Sequence, residues 1–238
     1  MSYYNYNYPT YVSIEDKKRK IPSIIKKLKK TNPNLMPITI EGNKITKTWW
    51  GKAWCDNLKN YNDYSNRLPR GRSYVKNGFV LHLEIDSGIV KAIVYGTSTY
   101  HITIKIAPLK PDIWNKISLK VSNNINNLSE LIAGKFPRDL SGIFTQIGDG
   151  LFPTPKDINM SCSCPDYAVM CKHVAAVMYG IGNRLDDDPL LFFKLRCVDP
   201  HDLLRKTVED KMACLLKNAN TKTARVITNA DIDSLFGL

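Results

Sequence analysis

No window of this 238-residue chain approaches the roughly 18 consecutive apolar residues that a membrane-spanning helix needs, so no membrane association is expected. The opening Met-Ser-Tyr-Tyr-Asn-Tyr-Asn-Tyr lacks the apolar centre of a secretion signal, which makes the cytoplasm the expected compartment. Three common catalytic signatures are missing as well: a Gly-rich phosphate loop, a nucleophile elbow and a zinc-protease motif. A non-enzymatic protein without a small-molecule substrate is therefore expected. Cysteine and histidine are scarce, at six and four residues. Acidic residues are scarce in one region: residues 1 to 76 hold 16 Lys/Arg against 5 Asp/Glu, while the remainder holds 18 against 17. The net charge of +12 is thus an amino-terminal property, and such asymmetry suits steering toward a polyanion as well as simple solubility.

Four of the scarce ligand-type residues fall together. Cys162-Ser-Cys164-Pro-Asp-Tyr-Ala-Val-Met-Cys171-Lys-His173 holds three thiols and an imidazole, where even scatter would put about half a residue of these types in such a window. Cys162 and Cys164 would close a strained disulfide ring, whereas reduced thiolates at this spacing are good metal ligands. With four donors and none left over, Cys162, Cys164, Cys171 and His173 describe a closed tetrahedron around one structural Zn(2+) ion, because a catalytic zinc keeps a position for water. A redox pair or scattered buried thiols are the alternatives. Cys171 and His173 are two residues apart and cannot point the same way in mid-helix. They should straddle the start of a helix running through Val174, Ala175, Val177 and Met178, which Gly180 and Gly182 end. Lys172 and nearby backbone N–H groups can offset the net negative charge of the filled site.

Patterning around this stretch predicts an α+β fold: an antiparallel β-meander with flanking helices, followed by a small zinc finger and carboxy-terminal helices. Phe79, Leu81, Leu83 and Ile85 alternate with His82 and Glu84; Ile89 to Tyr95 follows an Asp-Ser-Gly turn; Tyr100, Ile102, Ile104 and Ile106 alternate again. His82 and His101 fall on the polar face and read as exposed or hydrogen-bonded strand residues. Helical spacing marks Ser23 to Lys30, where Ile24, Ile25 and Leu28 oppose four lysines between Pro22 and Pro33. From Thr48 onward Trp50, Trp54, Leu58 and Tyr61 share a face that reads as core, with Cys55 a buried thiol. Further helices are expected around Ile113 to Asn123, Leu128 to Gly134, Pro137 to Gln146 and Pro200 to Asn218. These readings divide the chain into a basic extension (1–47), an α+β domain (48–150), a zinc finger (151–183) and a helical region (184–238).

Two charged stretches carry functional and bland readings side by side. In Asn66-Arg-Leu-Pro-Arg-Gly-Arg-Ser-Tyr-Val-Lys76, Pro69 and Gly71 break regular structure while Arg67, Arg70, Arg72 and Lys76 crowd together, which predicts a basic loop leading into a strand. Arginine's planar fork matches phosphate oxygens; solvation or salt bridges to acidic neighbours account for the same residues equally well. Asp186-Asp-Asp-Pro189 reads as a helix start with carboxylates near the positive end of the dipole, ahead of a catalytic acidic cluster.

The cysteine pattern, Cys-x-Cys-x6-Cys-x-His within Cys162-Ser-Cys-Pro-Asp166 and Met170-Cys-Lys-His-Val-Ala-Ala-Val177, resembles the SWIM zinc finger. Thr48-Trp-Trp-Gly-Lys-Ala-Trp54, Asn66 to Tyr74 and Arg184 to Arg196 are similar to stand-alone bacterial SWIM proteins, so the resemblance covers roughly residues 48 to 238. It implies zinc on Cys162, Cys164, Cys171 and His173, with roles in DNA binding or protein contact. It also implies a Snf-type helicase-like ATPase as a partner. Two functions follow as expectations. One is binding of nucleic acid, DNA ahead of RNA, by the basic half, with Arg67, Arg70, Arg72 and Lys76 on phosphates. The other is an adaptor role for such an ATPase without intrinsic nucleic-acid affinity.

Overall fold

Residues 173 to 182 are buried without interruption, a run that a helix sustains only when it is enclosed on every side. The structure, a computed structural model, describes residues 12–60, 66–122, 138–146 and 148–219. In chain order its elements are α1 (Ile14–Thr31), α2 (Trp49–Asn57), α3 (Leu68–Lys76), β1 (Val80–Asp86), β2 (Ile89–Tyr95), β3 (Thr99–Ile106), α4 (Pro111–Ser122), α5 (Ser141–Phe144), β4 (Ile158–Cys162), α6 (Lys172–Asp187), α7 (Leu191–Leu195) and α8 (His201–Ala219). The enclosed helix is α6. Tyr61, the segment 128–134 and the chain's first eleven and last nineteen residues lie outside the described residues.

The fold is α+β, with four antiparallel strands in the order β1-β2-β3-β4. The three strands expected from alternation are present, and the turn between β1 and β2 uses Gly88 at φ +65°, a conformation that favours glycine. β4 was not expected. It pairs with β3 through Ile102–Cys162, Ile104–Met160 and Ile106–Ile158, so the sheet draws strands from both sides of residue 150. At the other edge, residues 36 to 38 run beside β1: the Ile38 amide donates to the Val80 carbonyl (3.0 Å) and the Leu83 amide to the Met36 carbonyl (2.9 Å). His82 is buried there, and its Nδ1 accepts from the Met36 amide at 3.1 Å, which accounts for a histidine inside a strand.

α6 packs against the sheet, and α2 and α3 cross it. Each crossing depends on glycine. A Cβ at Gly71 of α3 would lie 2.7 Å from the Ala175 carbonyl carbon, and one at Gly51 of α2 would lie 2.9 Å from the Gly182 carbonyl oxygen. The stretch around Arg70 is therefore helix, not the expected loop. Pro69 sits in its first turn, where a missing N–H removes no helical bond, and Gly71 serves the helix crossing. Likewise α6 does not stop at Gly180 and Gly182 but runs to Asp187, because Leu83 and Cys55 press on those two positions.

α1 begins nine residues before the expected helix and carries Pro22 within it. Ser13 caps it by accepting from the Asp16 amide at 3.1 Å. Ile21, Ile24, Ile25 and Leu28 pack on the core, while Lys18, Arg19, Lys20, Lys26, Lys27, Lys29 and Lys30 are exposed. The acidic run divides: Asp188 accepts from the amide of Leu190, the N-cap of α7, at 3.0 Å, as expected of a helix start. Asp186 lies in the last turn of α6, not at the start of the next helix, and its carboxylate accepts from the backbone amides of Lys47 and Thr48 and from the Thr48 hydroxyl. Thr48 is the N-cap of α2, so this carboxylate does neutralise a helix start, that of α2. Among the described residues no helix is long and apolar enough to cross a membrane.

Candidate metal centre

The last residue of β4, the turn after it and the first turn of α6 meet at one corner. β4 presents Cys162, Cys164 follows two residues on, Cys171 is the N-cap of α6 and His173 is its second residue. The expected straddling of a helix start is what the backbone does: Cys171 is extended at ψ 171° and the helix begins at Lys172. One ligand atom from each of the four residues lies within 4.8 Å of the others. His173 Nδ1 is 4.0 Å from Cys162 Sγ and 3.8 Å from Cys171 Sγ. Tetrahedral zinc with Zn–S of about 2.3 Å and Zn–N of about 2.0 Å sets ligand separations near 3.5 to 3.8 Å, so the corner fits the ion closely.

Electrostatics point the same way. Cys171 is 1% exposed and His173 3%. Hydrogen bonding from Cys162 draws the Cys171 thiol well below its ordinary value, with help from His173 and the Val174 amide, although burial opposes it. Cys162 is pushed up because it donates to Cys171 and is partly buried, and burial raises Cys164. Three thiolates this close repel one another unless a divalent cation lies among them, so the cluster concentrates charge on one sulfur and is poised to exchange its remaining protons for a metal. Bound zinc supplies cross-linking here, tying the edge strand to the central helix.

The imidazole is held by packing. Its ring centroid lies 4.5 Å from that of Tyr100 and 5.4 Å from that of Tyr74, and a Cβ on Gly96 would come 2.7 Å from Nε2. Nε2 is buried without a hydrogen-bond partner, and Nδ1, beside the Cys162 and Cys171 sulfurs, is the nitrogen placed to ligate. The ammonium groups of Lys17 and Lys172 approach the Tyr74 ring at 5.8 and 5.9 Å, placing two cations beside a corner that carries net negative charge when filled. Lys172 was expected beside the site from sequence, and Tyr100 and Tyr74 lay in stretches singled out for other reasons; the contacts of Lys17, Gly96 and the two tyrosines with the corner were not.

The arginine-rich stretch divides. Arg67 pairs with Asp166, the residue two beyond Cys164, through Nη1–Oδ2 at 2.9 Å and Nη2–Oδ1 at 3.4 Å. Asp166 also accepts from the Ala168 amide at 3.2 Å. Arg67 thus ties α3 to the ligand loop, the salt-bridge alternative for this residue. Arg70 and Arg72 are exposed on α3, and Lys76 is half-buried at its end.

Residues 144–180 match the SWIM zinc finger family, and the chain carries such a finger with its Cys3His cluster suited to one structural zinc ion. The chain is also similar to an uncharacterized protein of Mycobacterium tuberculosis, Rv2102, with 36% identity over 163 residues, 67% of this chain. The matched region spans 58% of that protein's length. No solved structure matches the chain.

Proposed function

We propose that the chain is a zinc-stabilised nucleic-acid-binding protein that meets phosphates with its basic amino-terminal half. The observation that carries this reading is the direction in which the cations face. Seven lysines and arginines of α1 are exposed opposite its packed face, and Arg70 and Arg72 are exposed on the neighbouring α3. Glu15, Asp16 and Glu41 supply little neutralisation nearby, and among the described residues only Arg19 and Lys47 are paired with them. A surface of this sign concentrates a polyanion and releases its counterions on contact. DNA is the leading ligand and RNA the alternative.

The test is a titration of zinc-loaded protein against single- and double-stranded DNA and RNA at two salt concentrations. Binding should weaken steeply with salt, with a log–log slope of about 0.9 per neutralised phosphate on duplex and about 0.7 on single strands. Arg70→Ala with Arg72→Ala should lower both affinity and slope. Arg67→Ala should disturb the finger loop without changing the slope. Absence of binding at low salt would sink the reading.

A second reading, an adaptor for a Snf-type helicase-like ATPase, is favoured by one observation. Val208, Met212, Leu215 and Leu216 recur at helical spacing on α8 and are 54 to 69% exposed, an apolar stripe facing solvent. Co-purification with such an ATPase that is lost on Leu215→Glu and Leu216→Glu, together with silence in the nucleic-acid titration, would replace the first reading with this one.

A further inference from the structure

Away from the metal corner, α6 floors a second feature. α3 crosses it at Ala175 and α2 crosses it at Gly182. Tyr179 lies between these positions, four residues from one and three from the other, so it shares their face and sits roughly 4.5 to 6 Å along the axis from each crossing. Over it the two helices and residues 44 to 48 enclose a cleft of about 300 Å³. Tyr179 and Cys55 line its interior, and Lys44, Lys52, Lys59 and Arg72 stand around it. Burial pushes the Cys55 thiol up to about 12, so it adds no negative charge.

The charges do not cancel. Lys59 is held by Asp56 at 2.8 Å, and Lys47, also on the rim, faces Glu41 at 3.5 Å. The Asp186 carboxylate accepts from the backbone amides of Lys47 and Thr48 and from the Thr48 hydroxyl, so it is fixed beside the cleft as one negative charge. Among the described residues, Lys44, Lys52 and Arg72 have no carboxylate partner. Three cations without a paired carboxylate, against the single charge of Asp186, line a partly apolar hollow and describe a site for an anion carrying a flat or apolar group.

The cleft does not end there. A second hollow shares Lys47, Thr48 and Lys52 with it and continues past the Trp49 side chain to Arg138. A single phosphate would need only the first hollow, whereas two adjoining cationic hollows with an aromatic ring beside each suit a repeating chain of phosphates and bases. Aromatic faces stack on bases only where these are unpaired.

We infer that the cleft over Tyr179 and the groove continuing past Trp49 form one track for a single nucleic-acid strand, its phosphates gripped by Lys44, Lys52 and Arg72 in the cleft and by Arg138 in the groove. This deepens the proposed function and rests on it for the class of ligand; it moves the grip from the outer face of α3 to the recess between α2 and α3.

The experiment follows the binding of a labelled single strand of about 12 nucleotides, a length within the span such grooves cover, with a duplex of equal length, adenosine monophosphate and inorganic phosphate as comparison ligands. Lys44→Gln with Lys52→Gln should weaken strand binding at least about tenfold and lower the salt slope by about 1.4, the share of two phosphate contacts on a single strand. Lys91→Gln with Lys105→Gln, exposed on the sheet and outside both hollows, should weaken it less than about threefold. Zinc content and circular dichroism of each variant establish that the fold is intact. If the strand binds and the cleft variants bind it like the parent, the track is wrong and the proposed function stands. If the duplex binds more tightly than the strand, or the mononucleotide and phosphate bind as tightly, the single-strand assignment is overturned. If no nucleic acid binds at low salt while the mononucleotide does, and the cleft variants abolish that, the proposed function falls and the cleft is a free-nucleotide site.

Discussion

At its first turn α6 carries two metal ligands in a corner where every donor faces inward; six residues later, at Tyr179, the same helix floors a cleft lined by lysines and an arginine. The first arrangement is complete within the chain once a divalent ion is counted, since thiolates and metal nearly neutralise each other and Lys17 and Lys172 lie beside the remainder. The second is not complete, because among the described residues Lys44, Lys52 and Arg72 have no carboxylate partner and Asp186 alone stands against them. Closure marks a part that holds the molecule together, and uncompensated charge marks a part that meets something else. One helix, Lys172–Asp187, contributes to both.

Breaking the metal corner should have the largest effect. Cys171→Ala, or a strong chelator, should abolish zinc binding and remove a contribution that in small zinc domains is about 10 to 16 kcal/mol, visible as loss of one zinc per chain and a collapsed thermal transition. Strand binding should vanish with it. A thermal transition unchanged by chelation would show that the corner does not support the fold, and the comparison would fail at its stronger member.

Gly71→Ala tests the crossing between the two regions. The added methyl has the Ala176 amide nitrogen 2.8 Å away, so α3 must shift, with an expected loss of about 1 to 3 kcal/mol in urea unfolding. Zinc content should stay at one per chain while strand affinity drops, because the cleft wall moves and the ligands do not.

A smaller effect, with opposite signs in two measurements, is expected at Asp186. Asp186→Asn weakens the anchoring of the Lys47 and Thr48 amides and should cost about 1 kcal/mol of stability. It also deletes a negative charge beside the cleft and should tighten binding of any polyanion there. Affinity that falls along with stability would place the ligand elsewhere.

The smallest effect belongs to His82, across the sheet. Burial holds its imidazole below the ordinary value of about 6.5, and Glu84 only partly opposes this. The unfolded chain therefore binds the proton more readily, and the stability contributed by the neutral ring is lost as pH falls from about 6.5 toward the lower folded value. In urea unfolding between pH 7.5 and 6, with zinc content monitored, the parent should lose more stability than His82→Gln.

What could be read from the chain before its structure follows a physical line. The ligands were legible because thiols are rare and their spacing is local, and β1 to β3 because alternation is local. Ile158 to Cys162 also alternates, but its partner β3 lies more than fifty residues away, and the preceding prolines and following cysteines draw the eye to a finger. Pro69 and Gly71 read as breakers since the reason for that glycine, Ala175, is a hundred residues distant. Asp186 was assigned its kind of role at the wrong helix for the same reason. The cleft draws on residues 44 to 59, α3 and α6, and no one window contains it.

The pairing of β4 with β3 has a consequence for the fate of newly made chain. Until Cys162 is pinned to α6 by the metal, the strand Thr99–Ile106, with Tyr100, Ile102, Ile104 and Ile106 along it, offers an unpaired and apolar edge. Chain synthesised under zinc limitation should then enter insoluble aggregates through that edge, and Thr103→Lys, at a half-buried position between the exposed His101 and Lys105, should keep it in solution.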